Sequence, residues 1–85
     1  MTTLILGAGE SGLGSALLAK KNNCDVFISD AAKISDSIKD KLINSAINFE
    51  ENSHKIAMGL NPELVIKSPG ISDNSDIIKF FGLKS

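Results

Sequence analysis

Eighty-five residues, 42% of them hydrophobic and 22% charged, with a formal charge of −1, describe one small globular domain and exclude a disordered or fibrous chain. Nine lysines and no arginine, interspersed with ten acids, leave no basic stripe for a nucleic-acid backbone. Cys24 stands alone, which excludes an intrachain disulfide and a multi-cysteine metal site; it suits a reducing compartment and a simple packing role.

No apolar run approaches the roughly 20 residues of a membrane span, and Met1-Thr2-Thr3 lacks the basic lead of a signal peptide. A cytoplasmic protein without membrane contact is expected. A chain of this size hides only about 60% of the surface it exposes when unfolded, so a ligand, a partner or a further segment is expected to cover part of it.

Thr3 to Leu6 is a short apolar run bounded by Gly7, as in a strand buried on both faces. Leu13 through Asn22 holds helix formers without proline, with Leu13, Leu17 and Leu18 marking one face and Asn22-Asn23 as the turn. Val26-Phe27-Ile28 is a second strand, stopped by Ser29-Asp30.

Ser35 is placed to cap a helix reaching about Ala46, with Ile38, Leu42 and Ile43 spaced for burial and Asp36 suited to its dipole. Ile47 and Phe49 alternate with Asn48 and Glu50 as in a strand near the sheet edge. Ser53 opens a weak helix to about Met58, ended by Gly59. Leu64 to Lys67 is a fourth strand cut off by Ser68-Pro69-Gly70, and Ser75 to Phe81 a last helix with Ile77, Ile78 and Phe81 inward.

Strict alternation of strand and helix predicts an α/β fold: a Rossmann-like, doubly wound parallel sheet of about four strands with helices on both faces. Gly82-Leu83-Lys84-Ser85 reads as the turn leaving a helix, where this pattern would next supply a strand. The chain is therefore expected to be truncated, its last strand missing.

Gly7-Ala8-Gly9-Glu10-Ser11-Gly12 is a G-x-G-x-x-G loop that follows a strand, opens a helix and is trailed by Asp30 after the second strand. Gly7 permits the tight turn, Gly9 lets backbone approach a phosphate, and Gly12 lets helix and strand pack closely. Free backbone N–H groups and the positive end of the helix would hold the anion. Glu10 is expected to point outward, away from a diphosphate it would repel, while Ser11 could donate to a phosphate oxygen or cap the helix. The bland alternative is a tight strand-to-helix connection and nothing more.

Asp30 stands where dinucleotide enzymes place an acid on the ribose hydroxyls. It could equally accept from a base N–H or cap the turn at Ala31-Ala32. Ser68-Pro69-Gly70 lies at the same end of the sheet if the fourth strand neighbours the first, so that Gly70 could offer another N–H to phosphate; taken alone it is an ordinary turn. His54 has no second histidine or cysteine at metal-ligand spacing, and a surface or capping role is expected.

Read together, Gly7 to Gly12, Ser29-Asp30, Asn52-Ser53-His54 and Val65-Ile66-Lys67-Ser68-Pro69-Gly70-Ile71 make nearly the whole chain resemble the N-terminal domain of the Mur ligases. The K-S-P-G-I stretch is the most specific element and is similar to the D-glutamate-adding branch; the alanine-adding branch would look more like S-S-A-I. The resemblance implies a domain that holds the UDP moiety of UDP-MurNAc-L-Ala. By position, Gly9, Glu10, Ser11 and Gly12 with Ser68 and Gly70 would meet the diphosphate, while Asp30 and Ala31 would lie against uracil. Ala31 departs from the pattern, since a hydroxyl-bearing residue can stand there and help fix the base.

The same resemblance implies that ATP and Mg2+ serve the whole ligase: ATP phosphorylates the substrate carboxylate, and the amine of D-glutamate displaces phosphate from the acyl phosphate. The sequence holds no G-x-x-G-K-[ST] loop and no acid and histidine set for magnesium. Residues 1–85 are thus expected to be the UDP-binding domain alone, without catalytic residues, metal ligands or a cofactor of their own, and without the central ATPase and C-terminal domains. Two other readings remain open. One is a regulatory module binding NAD or an adenine nucleotide, with Asp30 on the ribose; the other is self-association through an uncovered edge of the fourth strand.

Overall fold

A computed structural model describes residues 2–71 and 75–82 of the chain. Four strands, β1 (Thr2–Leu6), β2 (Asp25–Ser29), β3 (Asn48–Glu50) and β4 (Leu64–Lys67), alternate with helices α1 (Glu10–Lys21), α2 (Asp36–Asn44), α3 (Lys55–Gly59) and α4 (Asp76–Phe81). The sheet is parallel throughout, in the order β3-β2-β1-β4. The Rossmann-like α/β architecture expected from the sequence is the one observed. The turn foreseen after the last helix begins at Gly82, the left-handed cap of α4, and Leu83-Lys84-Ser85 lie outside the described residues.

Alternation along β1 feeds two cores. Ile5 packs with Leu13, Ala16, Ile28, Ile38 and Leu42 beneath α1 and α2. Leu4 and Leu6 pack with Ala57, Ile77 and Ile78 beneath α3 and α4. Each strand residue points opposite to its neighbour, so a run of consecutive apolar residues is what a sheet covered on both faces requires.

The helices differ from the expected pattern in instructive ways. α1 begins at Glu10 instead of Leu13, so Gly12 lies inside the helix, where a Cβ would collide with the Gly7 carbonyl oxygen. The absent side chain lets the first turn rest on the glycine loop. The buried face is accordingly Gly12, Leu13 and Ala16, two of the three small, with Ala19 half-buried behind it. Close approach narrows the buried stripe, and Leu18 is left 63% exposed with Leu17 at the rim.

In α2, Ser35 caps as expected, its hydroxyl accepting from Ile38 N–H at 3.4 Å. The helix ends at Asn44, and Ala46 turns the chain with a left-handed φ of 57°. Ile38 and Leu42 are buried, but Ile43 is 63% exposed, one helical step past the face that meets the sheet. α3 starts at Lys55, after Ser53 has closed a tight turn by accepting from Lys55 N–H at 2.9 Å. In α4, Ile77 and Ile78 are buried as the spacing predicts, and Phe81 is half-buried.

Candidate functional site

Register fixes the location. Leu6 is level with Ser29 of β2 and with Lys67 of β4, and Ser29 is level with Glu50 of β3. Because all strands are parallel, Gly7, Asp30, Glu51 and Ser68 leave the sheet side by side at its carboxyl edge. Backbone bonds tie these exits together: Gly7 N–H donates to Ser29 O and Ser68 N–H to Leu6 O, each at 2.8 Å, and Asp30 N–H to Glu50 O at 3.1 Å. β1 lies between a strand that follows it and one that returns on its other side, the switch point where open α/β sheets leave a crevice.

The glycine loop is shaped by two steric demands. Gly7 has φ +100°, and a Cβ on it would fall 2.6 Å from the Ser68 Cβ. Gly12 presses on Gly7 as described above. Gly9 is different: a Cβ there, or on Gly70, would meet nothing within 4 Å. Gly9 is the N-cap of the 12-residue α1 and offers no side-chain cap, so no N-cap side chain takes up the first-turn N–H groups of α1. Glu10 and Ser11 are exposed in this first turn.

Ser68-Pro69-Gly70 is brought against the glycine loop because β4 pairs with β1. It is also a regular tight turn, closed by Ile71 N–H donating to Ser68 O at 3.1 Å. Asp30 lies across the loop. Its Oδ2 accepts from Ala8 N–H at 2.8 Å and its Oδ1 from Ala32 N–H at 2.9 Å. The second bond is the turn cap considered from the sequence; the first, over 22 residues, was not foreseen.

Beside Asp30, a cleft of about 360 Å³ is lined by Ala31, His54, Met58, Ile71 and the start of α4, where the buried Ser75 Oγ has no partner among the described residues. A wider depression of about 520 Å³, around Ile43 and Ala46 to Phe49, lies at the amino end of β3, away from the glycine loop. Its position at the opposite end of the sheet removes it from consideration as part of this site.

Sequence reasoning missed a polar network under the cleft. Ser29 is fully buried, and its hydroxyl lies 3.0 Å from Glu50 Oε2, 3.3 Å from Ser53 O and 2.7 Å from His54 Nδ1. Glu50 also accepts from Ile56 N–H at 3.0 Å and Ala57 N–H at 2.7 Å, at the start of α3. A serine hydroxyl has one hydrogen, and carboxylate and carbonyl oxygens only accept. The hydroxyl therefore donates toward Glu50, and His54 Nδ1–H donates to the Ser29 oxygen. Half-exposed His54 stands at the N-cap position of α3 without a side-chain cap bond, and its ring ties that helix start to Ser29. The available signal was Glu50 itself, a charged residue in a strand that must find partners once buried.

Next to this network, Glu51 accepts from Ile34 N–H at 2.9 Å and pairs with Lys39 Nζ at 3.0 Å. The Ile34 bond, and then Lys39, hold the Glu51 carboxyl below the ordinary glutamate value. Among the described residues no three His, Cys, Asp or Glu side chains gather as a metal site needs, and no helix is long and apolar enough to cross a membrane.

Known proteins match this sequence. A family model described as the MurD N-terminal domain matches residues 2–77. The UDP-N-acetylmuramoylalanine–D-glutamate ligase of Christiangramia forsetii is 47% identical over 75 residues, 88% of this chain and 17% of that protein. The enzymes of the same name from Porphyromonas gingivalis W83 (47% over 76 residues, 89% of this chain) and Bacteroides thetaiotaomicron (47% over 75 residues, 88%) are again covered over 17% of their length. The chain spans about a sixth of the ligases it matches, and over that span it belongs to the MurD N-terminal domain family.

Proposed function

We propose that the chain is the substrate-anchoring domain of a cytoplasmic peptidoglycan-precursor ligase that adds D-glutamate to UDP-MurNAc-L-Ala, and that it grips the UDP end. The observation that carries this reading is the open space over Gly9, at a helix start without a side-chain cap, together with open space over Gly70 in the loop that follows the neighbouring strand at the switch point of the sheet. A diphosphate there would accept from the first-turn N–H groups around Gly9, Glu10, Ser11 and Gly12, with Ser68 and Gly70 on its other side. Backbone dipoles suit it because they carry partial positive charge without needing a lysine. Uracil would lie by Asp30 and Ala31.

ATP and Mg2+ belong, on this reading, to the central ATPase and C-terminal domains of a longer protein, and no ligation is assigned to residues 1–85 alone. The described residues do not supply a donor set that fits a metal ion, so no step is routed through one. The role left to this chain is to bind and orient. Fixing the nucleotide end of a long substrate makes the later encounter at its far end effectively intramolecular.

The test is an NMR titration of the chain with UDP, a UDP-sugar and NAD in parallel. Shifts at Gly9, Ser11, Asp30 and Gly70 with the uridine nucleotides and not with NAD are expected. The reverse pattern would replace this reading with a dinucleotide-binding module.

A further inference from the structure

We infer that Asp30 is a positioning residue for the anion-binding loop, acting through the Ala8 amide; this rests on the diphosphate reading of that loop. The starting point is an electrostatic oddity. A carboxylate beside a diphosphate site repels the ligand, yet half-exposed Asp30 is held there by a bond to each oxygen: Oδ2 takes Ala8 N–H and Oδ1, on the exposed side, takes Ala32 N–H. Its backbone is equally committed, since Asp30 N–H donates to Glu50 O at 3.1 Å and Asp30 O accepts from Ser53 N–H at 3.2 Å.

All four polar groups of this residue are therefore engaged: the backbone pair joins the β3–α3 segment, Oδ1 closes its own loop and Oδ2 reaches the glycine loop. The β1–α1 loop, the β2–α2 loop and the β3–α3 loop meet on it. Ala8 is the residue between the strained turn at Gly7 and the N-cap at Gly9. Fastening its N–H away from the open space fixes the plane of the Gly7–Ala8 peptide, and the position of Ala8 in turn sets where Gly9 and the first turn of α1 begin. A hydrogen bond to a charged acceptor is about twice as strong as a neutral one, which suits a fastening at Ala8, between Gly7, whose N–H is held by Ser29 O, and the start of α1. Preorganisation of this kind strengthens anion binding because the donors need no rearrangement when the ligand arrives.

Two ideas about Asp30 predict opposite signs. If the carboxylate only repels the anion, removing its charge improves binding of inorganic pyrophosphate. If it positions the loop, removing it weakens that binding.

Asp30→Asn keeps an oxygen for Ala32 N–H but turns an NH2 toward Ala8. Asp30→Ser keeps the local turn with a hydroxyl too short to reach Ala8, and serves as the second variant should the first fold poorly. In the ligand-free chain, the Ala8 amide proton is expected to move upfield and exchange about tenfold faster in both variants, as loss of one charged hydrogen bond implies. Inorganic pyrophosphate affinity, followed at Gly9 and Ser11, is expected to fall about tenfold, and UDP affinity to fall at least as much.

An unchanged Ala8 amide would overturn the inference, as would pyrophosphate affinity that holds or rises while UDP affinity drops, which would place Asp30 directly on the nucleoside. Should the wild-type chain show no shift with pyrophosphate or UDP, the diphosphate reading fails instead; the ligand-free Ala8 exchange then still reports whether Asp30 holds the loop.

Discussion

His54 Nδ1 donates to the Ser29 hydroxyl at 2.7 Å, and the same hydroxyl turns its only hydrogen toward Glu50. A histidine at the start of α3 is thereby fixed in one tautomer by a serine at the end of β2. Removing the Ser29 oxygen leaves a buried acceptor and a ring N–H short of a partner, so Ser29→Ala is expected to cost about 1–3 kcal/mol in urea unfolding. Combined with His54→Ala, the two losses should be non-additive, with a coupling of about 0.5–3 kcal/mol. Strict additivity would show that the bond carries no energy.

Glycine positions in α1 separate packing from ligand space. Gly12→Ala forces a Cβ onto the Gly7 carbonyl and should cost about 3 kcal/mol or destroy the fold. Gly14→Ala meets nothing within 4 Å in the same helix and should stabilise by about 0.5–1 kcal/mol. Thermal unfolding of the two variants checks this, and equal effects would contradict the close approach of α1 to the loop.

Gly9→Ala tests the proposed function at the same loop. The added methyl has room in the ligand-free chain, so the folded state should survive with a loss of about 1 kcal/mol or less at an N-cap. UDP affinity should fall about tenfold or more, because the methyl occupies the space assigned to phosphate. A variant that binds UDP as well as wild type would move the diphosphate elsewhere.

Glu51 and Lys39 give the stability a pH dependence with a definite sign. The Ile34 N–H bond, followed by Lys39, lowers the Glu51 pKa, so its contribution is present above the ordinary glutamate value and is lost as pH falls through the lowered one. The hydrogen bond to Glu51 raises the Lys39 pKa, outweighing an opposing desolvation effect. That contribution is present below the ordinary lysine value and is lost as pH rises through the raised one. A carboxyl titration that places Glu51 at or above the usual range would disprove the assignment, and Lys39→Met should move it upward.

β4 ends the sheet among the described residues, and Leu64 on it is 46% exposed. An uncovered strand edge is a template for pairing with another chain. The 85-residue chain is expected to associate with rising concentration, and Leu64→Lys to suppress it. Sedimentation showing a strict monomer for the unaltered chain at high concentration would remove the idea.

Much of this domain was readable in one dimension. β4 has the bounds its apolar run predicts, β1 and β2 are each longer by one or two residues, and the parallel order followed from alternation of strand and helix. The turn at Gly7 and the Gly12–Gly7 contact were readable for the same reason, since they act between residues five apart; the crowding of Gly7 by Ser68 comes from the pairing of β4 with β1. Helix faces were less legible. Leu17, Leu18 and Ile43 satisfy a helical period, yet which side meets the sheet depends on how closely α1 and α2 approach it, and small residues in α1 set that distance.

What the sequence by itself determined is therefore the architecture and the glycine loop, because both rest on local periodicity and on conformations only glycine allows. Only the tertiary structure decided what Asp30 and Glu50 do. One carboxylate fastens Ala8 across 22 residues and the other joins Ser29, His54 and the start of α3. Hydrogen bonds of that range have no period and no spacing to read; they exist because parallel register brings the ends of β1, β2 and β3 to one edge, where buried polar groups must find one another.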